Sequence, residues 1–359
     1  MLPPPMTLLG RSRHMSVSIE QLDDASAAWD AALDGDREAF AASTTRYRRE
    51  LEVHCYRMLG SPEDAEDVVQ ETMLRAWRRR ETYASRSTLR AWLYGIATNA
   101  CLDVLASRKR RLLPPDVTGP GDARNAPLPA SEIAWLAPYP DRLLDEIVDT
   151  TGGPEDEIVA RETIELAFLV AIQHLPPRQR AVLLLRDVLS WSARETAAIL
   201  DMSLIAANSA LQRARTTVRE QLPARRTEWS RGRAPDTVER DLLERYMRAW
   251  NTADLDALVA LLAEDARVSM PPSPSWYRGR GEIASFLAQY PFAPTAPRHI
   301  HVPTRANRQP AFALFSSREG ERLQPLGISV LTIESGFIAV IDAFLQPDLI
   351  DLFAVKLPA

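Results

Sequence analysis

Cysteine is nearly missing from this chain. Cys55 and Cys101 are the only two, no Cys-x-x-Cys pair exists, and the five histidines form no cluster. A disulfide framework and a structural zinc site are thereby excluded as sources of stability, and a reducing compartment is expected. No run of about 18 apolar residues occurs, which removes an ordinary membrane-spanning helix. The opening "MLPPPMTLLGRSRHMSVSIE" also lacks the apolar stretch of roughly 7 to 15 residues that a secretory signal carries. The expected location is cytoplasmic, with no membrane contact, no metal and no cofactor. Met15 is a second candidate start beside Met1, and residues 1–28 are expected to be a disordered tail.

A large excess of one charge is missing too, but the net charge of −5 conceals a pattern. Residues 20–70 hold 5 basic and 13 acidic side chains, and residues 71–111 hold 10 and 3. Residues 112–177 return to acid, with 3 basic and 12 acidic, before 178–233 turn basic again with 11 and 5. The remainder, 234–359, is close to balanced at 12 and 15. Two basic blocks between acidic ones suit a polyanion held at two places, with acidic faces left to dock on a basic protein surface. Solvated helix faces would give the same counts.

At 359 residues the chain is long enough for two or three domains. Helical periodicity runs from about Trp29, broken at "DGD" (34–36), "GSPED" (60–64) and "TYASRS" (82–87). Ser61 followed by Pro62 and carboxylates reads as a capped helix start. Val68, Val69, Thr72, Met73, Ala76 and Trp77 then form a core-facing stripe. The expected domains are a helical bundle over 29–111, an acidic Pro/Gly-rich linker over 112–154, helices over 155–222, a hinge at 223–235 and an α+β domain over 236–359. Within the linker, "IAWLAPYPDRLLDEI" carries more apolar surface than a tether exposes, so Trp135 and Tyr139 are candidate docking anchors. In the last domain, "VERDLLERYMRAWNTADLDALVALLAEDARVSM" reads as a helical pair, and "FALFSS" and "PLGISVLTIESGFIAVIDAFL" read as strands around a Ser-Gly turn.

The stretch "SWSARETAAILDMSLIAANSALQRARTTVREQL" has helix-turn-helix layout: a helix capped at Ser192, a turn at "DMS", and a second helix from about Leu204. On that helix Leu204, Ala207, Leu211, Ala214 and Val218 are expected to pack inward. Asn208, Ser209, Gln212 and Arg213 point outward near its start, where base edges are met, and Arg215 and Arg219 suit phosphates. Helix hairpins with basic surfaces also occur without DNA.

Taken together, "SPEDAEDVVQETMLRAWRR", "STLRAWLYGIATNACLDVLASRKRR" and "LPPRQRAVLLLRDVLSWSARETAAILDMSLIAANSALQRAR" resemble regions 2 and 4 of the extracytoplasmic-function sigma factors of bacteria. The resemblance implies a fold of two all-α domains and a role in bringing core RNA polymerase to promoters. In the family the acidic helix binds the clamp helices of the largest polymerase subunit, which implies contacts from Asp64, Asp67, Gln70 and Glu71, with Leu74, like Trp77, nearer the core. The loop "TYASRS" and the helix that follows would face the −10 element. Trp92, Tyr94 and Asn99 are the candidates for holding an unstacked base; the two aromatics are more often core residues, and Asn99 is the stronger candidate. Arg108, Lys109, Arg110 and Arg111 would grip the duplex backbone. Asn208, Ser209, Gln212 and Arg213 would read the −35 element, while region 4 also meets the flap of the second-largest subunit. No catalytic residue is implied.

The C-terminal stretch "LLERYMRAWNTADLDALVALLAEDARVSMPP" with the strands after it resembles the SnoaL-like group of NTF2-like cone folds, an α+β class. "WLAPYPD" resembles the linker motif of sigma factors that carry such a tail. The expected role is regulation through contact between this domain and the linker, in place of or alongside a separate anti-sigma factor. Because some cones of this type are isomerases or cyclases, Asp265, Asp342, His299 and His301 are the groups to consider for a base. The alternative reading of the whole chain is a helix-turn-helix regulator fused to a SnoaL-like binding or enzymatic domain.

Overall fold

The computed structural model describes residues 29–83, 88–107, 110–146, 164–222 and 237–357. Among the described residues the first unit includes a helical stretch at 29–33 and the helices α1 (Arg37–Thr44), α2 (Arg48–Leu59), α3 (Pro62–Arg78) and α4 (Leu89–Ser107). Two of these starts have a clear local cause. Asp36 caps α1 by accepting from the amides of Glu38 and Ala39, and Ser61 caps α3 with Pro62 in its first turn. Gly60 ends α2 with φ of 75°, its amide donating to the Tyr56 carbonyl. That left-handed backbone favours glycine, and a Cβ here would stand 2.7 Å from Leu136 Cδ1.

After the short α5 (Asp141–Asp145), the second unit comprises α6 (Leu166–Gln173), α7 (Pro177–Leu183), α8 (Ala193–Ile199) and α9 (Leu204–Gln221). The third opens with α10 (Thr237–Asn251) and α11 (Leu255–Ala260), followed by β1 (Leu262–Ser269), β2 (Trp276–Arg278), α12 (Arg280–Gln289), β3 (Arg298–Ala306), β4 (Gln309–Ser317), β5 (Gln324–Glu334), β6 (Phe337–Phe344) and α13 (Leu349–Phe353). Its sheet runs in the order β2-β1-β6-β5-β4-β3, with β1–β6 parallel and the other pairs antiparallel. The expected helical pair was drawn too long, since its last residues are β1. Leu262, Ala266 and Val268 are buried while Glu264 and Asp265 are exposed. The alanine content concealed this strand from a propensity reading.

The two faces of the sheet serve different cores. Phe312, Leu314, Leu331 and Ile341 pack with Tyr246 of α10, Leu258 of α11 and Phe286 of α12. Ala311, Ala313, Phe315, Ile328, Val330 and Phe344 join α13 in one continuous apolar cluster with Leu51, Tyr56 and Met58 of α2 and with Leu169 and Leu184 of the second unit. The three units therefore share a core. Arg180 reinforces it: this buried guanidinium donates to Gln173 Oε1 at 2.7 Å, to the Gln173 carbonyl at 3.0 Å and to the Met58 carbonyl at the end of α2. Burial lowers its pKa to about 10, still far above neutrality.

Among the described residues no helix is long and apolar enough to cross a membrane, and no group of three or more His, Cys, Asp or Glu side chains is placed to hold a metal ion.

Two histidines lie in the interior. His54 of α2 is 2.9 Å from Thr98 Oγ1, and Thr98 gives its hydroxyl proton to the Tyr94 carbonyl at 2.7 Å, so the ring donates through Nε2–H. His301 of β3 stacks on Trp250 at 4.5 Å beside Tyr246 and Phe312. Burial first, then neighbouring positive groups for His54 and His299 for His301, pushes each ring's pKa down to about 3. Both are neutral in the fold, whereas the unfolded chain protonates near 6.5. Between those values the unfolded chain binds more protons, so stability declines as pH falls. Unfolding by denaturant at pH 5 and pH 7 is expected to differ by about 2 kcal/mol for each ring, and His301→Phe is expected to remove its share of that difference. An undiminished difference in the variant would assign the pH dependence elsewhere.

Candidate nucleic-acid interface

Helices α8 and α9 meet at a turn where Asp201 has φ of 47°. Ser192 and Glu195 cap α8 reciprocally, at 3.2 and 2.8 Å, and Ser203 caps α9 through the Ala206 amide at 3.1 Å. Ala207, Leu211, Ala214 and Val218 are buried as expected, joined by Ala210. Leu204 is not: it is 49% exposed, because the first turn of α9 projects beyond the core that the later turns cover. Asn208, Ser209, Gln212, Arg213, Arg215 and Arg219 all lie on the exposed side. Arg215 is ion-paired to Asp187 at 2.7 Å. Ile205, which the sequence reading left unassigned, is 80% exposed beside them.

The other basic helix, α4, presents a different picture. Tyr94 is withdrawn as a base platform, since it is 1% exposed, lies 5.3 Å from Trp191 of the second unit and has its hydroxyl 3.2 Å from Glu50. Trp92 is half-buried in an aromatic group with Trp29 and Tyr83 at 6.0 and 5.6 Å. Asn99 is exposed at the rim, where its Nδ2 donates to the Gly95 carbonyl at 3.0 Å and to the Ile199 carbonyl of α8 at 3.4 Å. Ile199 Cγ1 stands 3.8 Å from where a Cβ on Gly95 would be. The first helix of the helix-turn-helix thus rests on the helix expected to face the −10 element. Arg110 is exposed, 3.2 Å from His174 Nδ1. Arg111 is half-buried and donates to Asp64 at 2.6 Å and to the Trp135 carbonyl at 2.8 Å, which ties it to protein rather than to phosphate here. Arg108 and Lys109 lie outside the described residues.

On α3, Asp67 and Gln70 are exposed, Glu71 is half-buried against Arg75 at 2.7 Å, and Leu74 is 52% exposed. Leu74 is therefore a surface residue, not one nearer the core, and it completes the row 67, 70, 71, 74 along one helix face. Asp64, expected at a partner's surface, is buried with Arg111 instead. Arg75 also pairs with Asp103 of α4 at 2.8 Å.

The segment read as a linker is bound along much of its described length. Gly121 N donates to the Trp276 carbonyl at 2.7 Å, Leu128 N to Ser275 Oγ at 2.8 Å and Ser131 N to the Pro272 carbonyl at 3.0 Å. Backbone groups make most of these bonds, so side-chain composition did not disclose them. Trp135, Leu136 and Tyr139 are buried, and Ala137 N donates to the Gly60 carbonyl at 3.0 Å. Into this strip fits the β3–β4 hairpin, whose two-residue turn places Asn307 and Arg308 at φ of 55° and 60°. Asn307 is entirely buried. Its Oδ1 accepts from Tyr139 N at 2.8 Å, while its Nδ2 donates to Tyr56 Oη and to the Ile164 carbonyl, both at 2.8 Å. Tyr56 in turn donates to the Ala137 carbonyl at 2.8 Å. Gln309 Oε1 accepts from Leu166 N at 3.0 Å, supplying the first turn of α6 with a partner. Asp141 receives Arg308 N at 2.7 Å and Arg305 Nε at 3.1 Å; burial raises its pKa against those attractions.

The four groups considered for a base do not converge. His299 and His301 share the face of β3 turned toward Trp250. Asp342 lies on the opposite face of the sheet, in register with Val330, and accepts from Ser269 Oγ at 2.6 Å. Asp265 is exposed on β1.

Residues 44–111 match the Sigma-70 region 2 family, 165–218 match Sigma-70 region 4, and 243–341 match the SnoaL-like domain family. The ECF RNA polymerase sigma factor SigG of Mycobacterium tuberculosis (strain H37Rv) is 42% identical over 326 residues, covering 90% of this chain and 85% of that one. SigJ of the same organism is 30% identical over 246 residues, covering 67% of this chain and 69% of that one. The crystal structure of Mycobacterium tuberculosis SigJ superimposes with a TM-score of 0.55 at 22% identity, covering 88% of this chain and all of that one, and so shares the fold. With both sigma regions in order and close identity sustained across nearly the whole length, the chain belongs to the extracytoplasmic-function family of RNA polymerase sigma factors, non-enzymatic regulators that direct promoter recognition and transcription initiation, and it carries a SnoaL-like domain behind region 4.

Proposed function

We propose that the structure is the closed state of this sigma factor, held shut by its own C-terminal domain. Two placements support the reading. Helix α8 of region 4 lies against Gly95 and Asn99 of α4, where region 2 would meet the −10 element. The hairpin amide of Asn307 binds region 2, the linker and the start of region 4 at once. Reading a −10 and a −35 element together requires the two helical units to part, and each bond of Asn307 opposes that separation. Opening releases Asn99 from the Ile199 carbonyl and Arg110 from His174, leaving them with Trp92 and Arg111 for the melted strand and the backbone, while Asn208, Ser209, Gln212 and Arg213 take the −35 major groove.

The row Asp67, Gln70, Glu71 and Leu74 is assigned to the clamp helices of the largest polymerase subunit, and region 4 to the flap of the second-largest. The division into a region 2 domain (29–111), a linker (112–154), a region 4 domain (155–222), a hinge (223–235) and a SnoaL-like domain (236–359) follows the same reading, with action in the cytoplasm. The fused domain takes the role that a separate anti-sigma factor has elsewhere, and an additional anti-sigma factor would compete for the same polymerase-binding row.

Asn307→Gly keeps a residue suited to positive φ and deletes the amide. With buried hydrogen bonds worth about 1 to 3 kcal/mol when a partner is lost, the open fraction is expected to rise roughly 5- to 150-fold. The readouts are the radius of gyration by small-angle scattering and run-off transcription with purified core at limiting sigma; a variant as compact and as active as the parent would refute the clasp. For the polymerase face, Asp67→Arg is expected to weaken core binding by about tenfold or more without shifting the unfolding midpoint. Unchanged affinity would move the contact off this row.

A further inference from the structure

Ile205 is the most exposed of the large apolar side chains on the described residues, at 80%, and it belongs to neither hydrophobic core. It stands in the first turn of α9, directly after the Ser203 cap and Leu204. Asn208, Ser209 and Gln212 follow it at three, four and seven residues, so all four side chains share one exposed helix face. Covering such an aliphatic group with an apolar partner removes it from water and is favourable. The partner of this row is double-stranded DNA, and among the base edges of the major groove only thymine offers an apolar group, its 5-methyl. Guanine, cytosine and adenine present donors and acceptors that a butyl side chain would leave unpaired, so the same residue selects for thymine and against the rest.

We infer that Ile205 is a specificity residue of this sigma factor, reading the 5-methyl group of a thymine in the −35 element next to the bases met by Asn208, Ser209 and Gln212. This rests on the placement of the α9 face in the −35 groove proposed above. In the closed arrangement that face is open to solvent, whereas Ile199 of α8 lies against Asn99 on α4. Upstream reading therefore needs no rearrangement of α9 itself.

The test uses holoenzyme, the full chain with purified core polymerase, on a promoter fragment recovered by its own run-off transcription. Each thymine of the upstream element is replaced singly by deoxyuridine, which differs by the methyl group alone. One replacement is expected to weaken promoter binding by the parent holoenzyme about fourfold, the equivalent of one buried methyl. Ile205→Ala is expected to bind the natural promoter more weakly by a similar factor and to be indifferent to that deoxyuridine. Ile205 is solvent-exposed, so the variant should keep the parent's thermal midpoint and core affinity. If no deoxyuridine affects the parent, or if Ile205→Ala retains the full penalty, the inference fails. Loss of core affinity in Ile205→Ala would assign the residue to a polymerase surface and would also overturn it. Gln212→Ala separates this from the underlying reading: should it leave discrimination at every upstream base pair intact, the placement of α9 itself is wrong, whereas altered discrimination with no methyl effect refutes Ile205 alone.

Discussion

One buried amide governs how the three units are held together. Asn307 occupies a turn that requires positive φ at two successive residues, and asparagine tolerates that backbone while bringing a donor pair and an acceptor. Those groups meet the linker backbone at Tyr139, the Tyr56 hydroxyl of region 2 and the Ile164 carbonyl before α6. All of this lies out of contact with water, so the bonds form together or fail together. Partial release would strand several polar groups in an apolar setting. The hairpin is consequently seated or withdrawn, with little stability in between, and that is the physical requirement for a two-state device.

The surrounding charges behave differently. Arg215 with Asp187, and Arg75 with Glu71 and Asp103, are ion pairs near the surface. Pairs of this kind contribute about 0 to 1 kcal/mol and are screened by salt. A phosphate or a polymerase side chain can replace one partner with little loss. The arrangement of the three units is thus secured by apolar contact and by the buried Asn307 and Arg180 networks. Under the proposed reading, DNA binding and interdomain closure share Asn99, Arg110 and Arg111, which here contact Ile199, His174 and the Trp135 carbonyl.

Much of the fold was legible along the chain. The Ser61 and Ser192 caps, the inward stripe of α3, the strands around Ser335 and Gly336 and the outward row of α9 all follow from local spacing, because local hydrogen bonding and periodic burial fix them. Failures came where a neighbour in space decided the outcome. Leu204 and Leu74 match an inward pattern but end up exposed, since no other element covers their turns. Asp64 reads as a surface acid and is buried because Arg111, 47 residues away, reaches it. Residues 262–269 look helical by composition, and the sheet claims them through pairing with β6.

The sequence by itself determined the two sigma regions, their order, the charge blocks and the existence of a third, α+β unit, since these depend on runs of residues acting over a few helical turns or strand pairs. Only the tertiary structure decided that region 4 lies on α4, that the linker is bound along much of its described length, and that a hairpin asparagine joins segments separated by up to 251 positions. Contacts of that separation leave no periodic trace, because each depends on where two surfaces meet rather than on how either one is spaced.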